Sequence, residues 1–472
     1  MLRVPEERFP RRDPAALAGF MAFCRDEARR DGRPRLGSIS LEVPHIDPLA
    51  VLQSIYAPDE LHFYLEKPSV GEAIAGADAV ESGTFAGAQR FSAVRDWASE
   101  VQSRLIAIGD LDTPRAGPHF FVGFAFADEP GPGGVFAPAT VFLPRWQVAA
   151  SQGRYVAVAN VRVTPDTDVD ALAARVRAAH AKFSAFPYAA TAATAESATP
   201  TAIAETGGTG WFEAAVTDAL ARIRAGAYRK IVLARALDLT HATPFLPLDA
   251  LNHLRERFPA CFGFSLANGR GQSFIGATPE LLARLQGRNL LTEALAGSAP
   301  RGATASADAQ LGRALLSRTK DMHEHQVVLE AIVRRLNNLG LTDVTAEHAR
   351  LLLLPNVQHL WSPVSATLPP SLHLLDVLAT LHPTPAVGGQ PRQAARPDIA
   401  RLERFDRGLY AGTVGWFDHR GDGEFVVAIR SALMDGPRAR LFAGAGIVEG
   451  SVPADEKAET DLKLAALLEA LR

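Results

Sequence analysis

Apolar residues recur along this chain at two spacings, and the spacing separates strands from helices. Residues 120–126, 141–148 and 155–163 are rich in β-branched and aromatic side chains and end at Gly or Pro, which predicts strands. Residues 168–183 place Leu172, Val176 and His180 four apart, which predicts a helix. Further on, 210–225 carries Phe212, Val216, Ala219, Leu220 and Ile223 at helical spacing, with Gly226 where a C-cap belongs. Strands are predicted at 230–236, 273–276, 289–295, 412–418, 424–430 and 441–445. Helices are predicted over 307–339 (broken near Lys320 and ended by Gly340), over 372–381 before Pro383, and over 453–472. Strand pairs joined by short turns imply antiparallel sheet with helices packed on it.

Between these regions, residues 189–210 are almost entirely Ala, Thr, Ser, Glu, Pro and Gly, which predicts a loop or linker. The chain therefore divides into an N-terminal part (1–188), this stretch (189–210) and a C-terminal part (211–472). At 472 residues and 47% hydrophobic it can bury a large core. Its 49 Lys+Arg against 52 Asp+Glu leave a net charge of −3, no basis for a nucleic-acid binder or a membrane-surface protein. Two cysteines, Cys24 and Cys261, exclude a disulfide framework and a paired-cysteine zinc site. The first dozen residues lack the apolar run of a signal peptide, and no apolar run is long enough to span a bilayer, so a cytoplasmic protein is expected.

Several familiar motifs fail. Gly444-Ala445-Gly446 is not completed to a dinucleotide fingerprint, and no phosphate-binding lysine loop occurs. Around His323-Glu324-His325 the second histidine of a zinc-protease motif is absent, since position 327 is Val and position 321 is Asp. The carboxylates say more. Glu456, Glu459 and Lys463 fall within about 60° on one helix stripe. Spacing alone favours a solvated face with a Glu459–Lys463 pair. The alternative is a hard-oxygen Mg²⁺ site, with Glu324 as a further carboxylate beside Val327, Val328 and Ala331. Lys230 opens an apolar strand; it is either a solvated strand end or, if buried, a base. Glu280 follows Pro279 and is either a helix-start charge or a general acid.

Nine ordered segments carry a resemblance. They are KIVLAR from Lys230, GATPELL ending at Leu282, TEALAGSAPRG from Thr292, KDMHEHQVV from Lys320, NVQHLWS from Asn356, LHPTPAVGG from Leu381, LYAGTVGW from Leu409, VVAIRSA from Val426, and FAGAGIV…SVPADEKAETDLK ending at Lys463. Together they resemble the chorismate-utilising enzymes. The resemblance implies an α+β fold of large antiparallel sheets packed face to face and surrounded by helices, with both parts of the chain in one body. It implies that Lys230 activates water for attack at C2 of chorismate and that Glu280 protonates the departing C4 hydroxyl. It implies Mg²⁺ held by Glu324, Glu456 and Glu459. Arg430 and Tyr410 resemble the pair that binds a substrate carboxylate, near the Gly444 and Gly446 backbone. Lys463, His359 and the Ala296, Gly297, Ser298 segment resemble pocket residues.

Branch-specific positions narrow this further. Ala296 stands where aminodeoxychorismate-forming members carry a lysine nucleophile, and the HPTPAVGG segment, His382 to Gly389, is of the isochorismate-forming type. The implied activity is isomerisation of chorismate to isochorismate, for menaquinone or siderophore biosynthesis, by a monomer with no glutamine-amidotransferase partner. Segments from Phe63 and from Phe142 resemble the longer, menaquinone-pathway members. A salicylate-forming lyase and a non-catalytic chorismate-binding regulator are the competing readings.

Overall fold

The computed structural model describes residues 3–5, 14–131, 133–184, 186 and 200–471. Its strands join into one hydrogen-bonded network that pairs antiparallel throughout, except where Arg35–Val43 runs parallel to Leu105–Gly109. The network branches at Ala139–Ser151. One half of this long strand pairs with His119–Phe124 and the other with Arg154–Val163, while Glu72–Phe85 runs along its length. Two arms leave the branch. The first passes through Glu72–Phe85, His62–Lys67, Phe262–Ala267, Gln272–Thr278, Ser431–Asp435 and Arg438–Val448 to Lys230–Thr240. The second passes through His119–Phe124, Thr413–Asp418, Gly423–Val427, Leu281–Gln286 and Asn289–Pro300 to Val357–Thr367.

The two arms enclose the main core. Phe63, Phe264, Phe274 and Phe442 of the first arm pack in one cluster with Phe121, Leu281, Phe425 and Val426 of the second. Close approach here requires glycine. A Cβ on Gly276 would stand 2.6 Å from Phe264 Cζ and 2.8 Å from the Arg430 carbonyl oxygen.

The chain passes from one arm to the other at two neighbouring places. Pro279 and Glu280 join Gln272–Thr278 to Leu281–Gln286, and Ala428 to Arg430 join Gly423–Val427 to Ser431–Asp435. The crossovers are tied together: Ala277 N–H donates to Arg430 O at 3.1 Å and Val427 N–H to Glu280 O at 3.0 Å. Arg430 has φ +48, a left-handed conformation rare for a side chain of its size, and this turns the chain sharply between arms.

The predicted helix 307–339 is two helices, Ala305–Ser317 and Thr319–Asn338, because Arg318 adopts an extended ψ of 115 between them. The predicted strand 424–430 ends at Val427, since the following residues turn into the second crossover. Of the predicted linker 189–210, residues 189–199 lie outside the described residues. Ala202–Glu205 forms an exposed edge strand on Lys230–Thr240, with Ile203 left half in solvent. The pattern missed the helices Pro14–Asp31, Arg90–Ser103, Pro247–Arg257 and Arg392–Glu403, and the strands Arg35–Val43, His62–Lys67 and Glu72–Phe85.

A buried ion pair clamps the end of the first arm. Glu403 and Arg407 are both buried. Glu403 accepts from the Ala234 amide at 2.7 Å and from Arg407 Nε at 2.7 Å. Arg407 donates onward to Val387 O at 2.7 Å and Val232 O at 2.9 Å. Removing one partner strands the other charge in the interior. Glu403→Ala is expected to cost about 3–5 kcal/mol of stability in urea denaturation. Glu42→Ala, which breaks the exposed Arg154 pair, is expected to leave the urea midpoint nearly unchanged.

Candidate active site

The crossovers open into a cleft that Glu280 and Arg430 both line. Lys230 opens its strand yet is wholly buried, its ammonium 2.9 Å from Glu324 Oε1. The contact is an ion pair lying off the hydrogen-bonding direction, so Nζ has no hydrogen-bond partner. The sequence reading of a solvated strand end is therefore excluded for Lys230. Glu280 is buried at the first crossover, and loss of water, then the neighbouring Glu293 carboxyl, push it up to about 8. It lies between strands, so the helix-start reading is excluded too.

Arg430 reaches into the cleft from the second crossover. Its Nη2 donates to His359 Nε2 at 2.6 Å, and its buried Nη1 has no partner. A guanidinium only donates, so His359 Nε2 is the acceptor and its proton sits on Nδ1, 3.0 Å from Ser298 Oγ and 3.3 Å from Gly297 O. Burial, then the Arg430 charge, hold His359 well below the usual imidazole range, so it stays neutral. The Ser298–His359 opposition depends on a bulge in Asn289–Pro300, where the register shifts between Ala296 and Ser298 and Gly297 takes φ +81.

The glycines make room. A Cβ on Gly444 would stand 2.8 Å from the Tyr410 hydroxyl oxygen, and one on Gly446 would overlap Glu324 Oε1. Tyr410 stacks on Phe442 with ring centroids 5.0 Å apart, and burial raises its phenol above the usual range. Lys463, on the helix Pro453–Ala470, donates to Gly444 O at 2.8 Å and to Glu459 Oε1 at 2.7 Å. The sequence-predicted Glu459–Lys463 pair thus exists, and both residues line the cleft.

Each of the three glutamates read as metal ligands carries a lysine: Glu324 with Lys230, Glu459 with Lys463, and Glu456 with Lys320 at 2.6 Å. Among the described residues, no three acidic, histidine or cysteine side chains converge at ligand spacing. The donor set nonetheless suits a hard cation. Lys320, raised against the effect of its burial, feels Glu456, Glu324 and Glu459 together, and its ammonium marks where a positive charge is favoured. Burial raises Glu456; in Glu459 the opposing effect of Lys463, Lys320 and Lys230 outweighs burial and lowers it.

Apart from Lys230 and Glu456, each of which is ion-paired to another predicted residue or its neighbour, every residue predicted from sequence for this site lines the one cleft. Sequence reading missed Lys320 and Glu293, and it missed Val232, Leu295, Ile429 and Phe442 in the lining. Lys320 was detectable, being four residues before Glu324 on one helix face. His382 is buried away from the cleft, on Ala125 O at 3.2 Å, while Ala386 and Val387 of the same segment line it.

The chain is similar to several known proteins. Residues 22–472 match the sequence model of the family described as chorismate binding enzyme. A salicylate biosynthesis isochorismate synthase of Pseudomonas aeruginosa is 37% identical over 467 residues, covering 97% of this chain and 94% of the relative. The isochorismate synthase DhbC of Bacillus subtilis is 39% identical over 267 residues, 55% of this chain and 67% of the relative. The solved menaquinone-specific isochorismate synthase MenF of Escherichia coli superposes with a TM-score of 0.78 at 26% identity, covering 96% of this chain and all (100%) of that one. Anthranilate synthase component I of Streptococcus pneumoniae, at 21% identity and a TM-score of 0.69, shares the fold. The chain belongs to the chorismate-binding enzymes. Within that family, the full-length match places it with the isochorismate synthases.

Gly446→Ala tests the packing of the cleft. Its added methyl must displace Glu324 from Lys230, and a shift of about 1 Å at a reacting group costs about 10²-fold in rate. The expected result is a loss of kcat of that order with little change in Tm, read by steady-state kinetics with chorismate and by thermal unfolding.

Proposed function

We propose that this enzyme isomerises chorismate to isochorismate with Mg²⁺, water adding at C2 and the C4 hydroxyl leaving. The observation that carries the reading is the placement of a buried lysine and a buried carboxyl raised to about 8 in and beside one cleft that also holds Arg430 and Lys463.

Lys230 takes a proton from the attacking water as its oxygen bonds to C2. The ring double bonds shift, the C4–O bond breaks, and Glu280 gives its proton to the departing oxygen. One water enters and one leaves, so no redox group is needed. The partnerless Nη1 of Arg430 is the donor for one substrate carboxylate, with Tyr410 beside it. Neutral His359, locked by Ser298, orients the guanidinium without adding charge. Glu324, Glu456 and Glu459 would hold the cation, which supplies charge compensation for the second carboxylate. The lysine-free position Ala296 lines the cleft, which supports water rather than an enzyme amine as the nucleophile. No ammonia is required, so the reading includes no amidotransferase partner. Relatives named for menaquinone and for salicylate biosynthesis support a role supplying isochorismate to menaquinone or siderophore synthesis. No helix among the described residues is long and apolar enough to cross a membrane.

Four measurements test this. Chromatography and mass spectrometry after incubation with chorismate and Mg²⁺ are expected to show isochorismate approaching one fixed ratio from either direction; salicylate with equimolar pyruvate would assign the lyase reaction instead. Lys230→Ala and Glu280→Gln are each expected to lower kcat by at least about 10²-fold with the fold retained. A raised carboxyl serves as acid only below its titration, so kcat/KM is expected to fall as pH rises through about 8. Glu456→Gln is expected to raise the Mg²⁺ concentration needed for half-maximal rate, and an unchanged titration would leave Glu456 as a partner of Lys320 alone.

A further inference from the structure

Glu293 is a second buried carboxyl close to Glu280, and it does not line the cleft. It sits on Asn289–Pro300, beside the strand that begins just after Glu280. One oxygen accepts from the Leu281 amide at 2.7 Å, and the other from Trp361 Nε1 at 2.6 Å. The register of Leu281–Gln286 against Gly423–Val427 shifts between Leu281 and Ala283, and Glu293 takes up the Leu281 amide at that irregularity. Both partners of Glu293 are obligate donors. A protonated carboxyl would have to turn its O–H toward one of them, so these contacts suit only the carboxylate.

We propose that Glu293 is a positioning residue for the acid step: its carboxylate ties down the peptide after Glu280 and supplies the buried negative charge that keeps Glu280 protonated until the C4 oxygen departs. The proposal rests on the reading of Glu280 as the general acid. Two like charges cannot both be carried cheaply in a water-poor interior, and the one with two N–H donors keeps its charge. Glu280 has no such pair of donors among its hydrogen bonds; its backbone amide and carbonyl are engaged with Thr278 and Val427. The cations around Glu280 are Lys230, Lys463 and Arg430, with the Tyr410 phenol beside them, and all three cations oppose the effect of Glu293. Burial raises Glu293 as well, but the Leu281 and Trp361 donors, then the Lys67 and Arg284 charges, oppose that effect and favour its carboxylate, whereas Glu280 has no such donors. Burial first, and Glu293 with it, prevent three cations from drawing off the Glu280 proton.

The test is the pH profile of kcat/KM with chorismate and Mg²⁺, alongside Tm. Glu293→Gln removes the charge at constant shape. The descending limb is expected to move to lower pH by about one unit, with kcat at the new optimum retained within about tenfold. Trp361→Phe removes one donor and is expected to move the limb the same way by less. It carries the test if Glu293→Gln does not fold. Glu293→Asp, which restores charge, is expected to return the limb toward that of the unaltered enzyme. A limb that stays in place in the folded variants, whatever the fall in rate, overturns the proposal. Full activity in Glu280→Gln would overturn the reading of Glu280 itself, so the two failures are separate results.

Discussion

Paired charge in a water-poor cleft is the constraint on which the rest of this structure depends. Lys230 with Glu324, Lys320 with Glu456 and Lys463 with Glu459 bring three cations and three anions together on two helices and one strand. Burying any of these groups alone would cost several kcal/mol, whereas as pairs they are tolerated and ready to exchange partners. A dianionic substrate and a divalent cation would enter this array with opposite charges. The array can therefore accept both without changing its net charge. The glycines of Arg438–Val448 follow from the same constraint, because a methyl at Gly446 would collide with the carboxylate that balances Lys230.

The second structural necessity is a way to hold Glu280 and Arg430 at fixed separation in one cleft. The fold does this with its two crossovers. Glu280 and Arg430 stand where the chain leaves one arm for the other, and the crossovers hydrogen-bond to each other through Ala277 and Val427. Residues within a continuous strand would alternate between faces; residues at a crossover are released from that alternation and can both face the cleft. The left-handed backbone of Arg430 is the local cost of that freedom. Glu403 and Arg407 perform the corresponding task for Lys230, clamping Val232 and Ala234 of its strand to Val387 at the cleft wall.

Legibility in the sequence followed how local the determinant was. Helices with a clear apolar stripe, such as Trp211–Arg224 and Leu374–Leu381, could be read because their periodicity is self-contained. Glu72–Phe85 could not, since its Ala, Gly and Ser positions carry almost no apolar signal and its strand character comes from pairing on both sides. Pro14–Asp31 and Arg392–Glu403 are rich in Arg and carry short or interrupted stripes. In the site, Lys230, Glu280, Glu324, Glu456 and Glu459 each had a plain structural alternative when taken singly. Burial separated the alternatives for Lys230 and Glu280; for Glu324, Glu456 and Glu459 the ordered set of motifs is what favours the ligand reading. Glu293 lay inside one of those motifs and still gave no sign of a role, because its partners, Leu281 and Trp361, are set by sheet pairing and not by spacing.

That difference bears on how a buried carboxyl can stay protonated beside several cations. Glu280 faces Lys230, Lys463 and Arg430, an arrangement that by Coulomb attraction alone would leave the glutamate ionised. Desolvation acts in the opposite sense and favours its neutral form. For Glu280 burial is the larger effect and a further buried carboxyl adds to it; for His359 burial again leads and the guanidinium of Arg430 adds to it. Protonation state in this cleft is therefore a property of the second layer of residues as much as of those that line it, and that layer is built by strand pairing between distant parts of the chain.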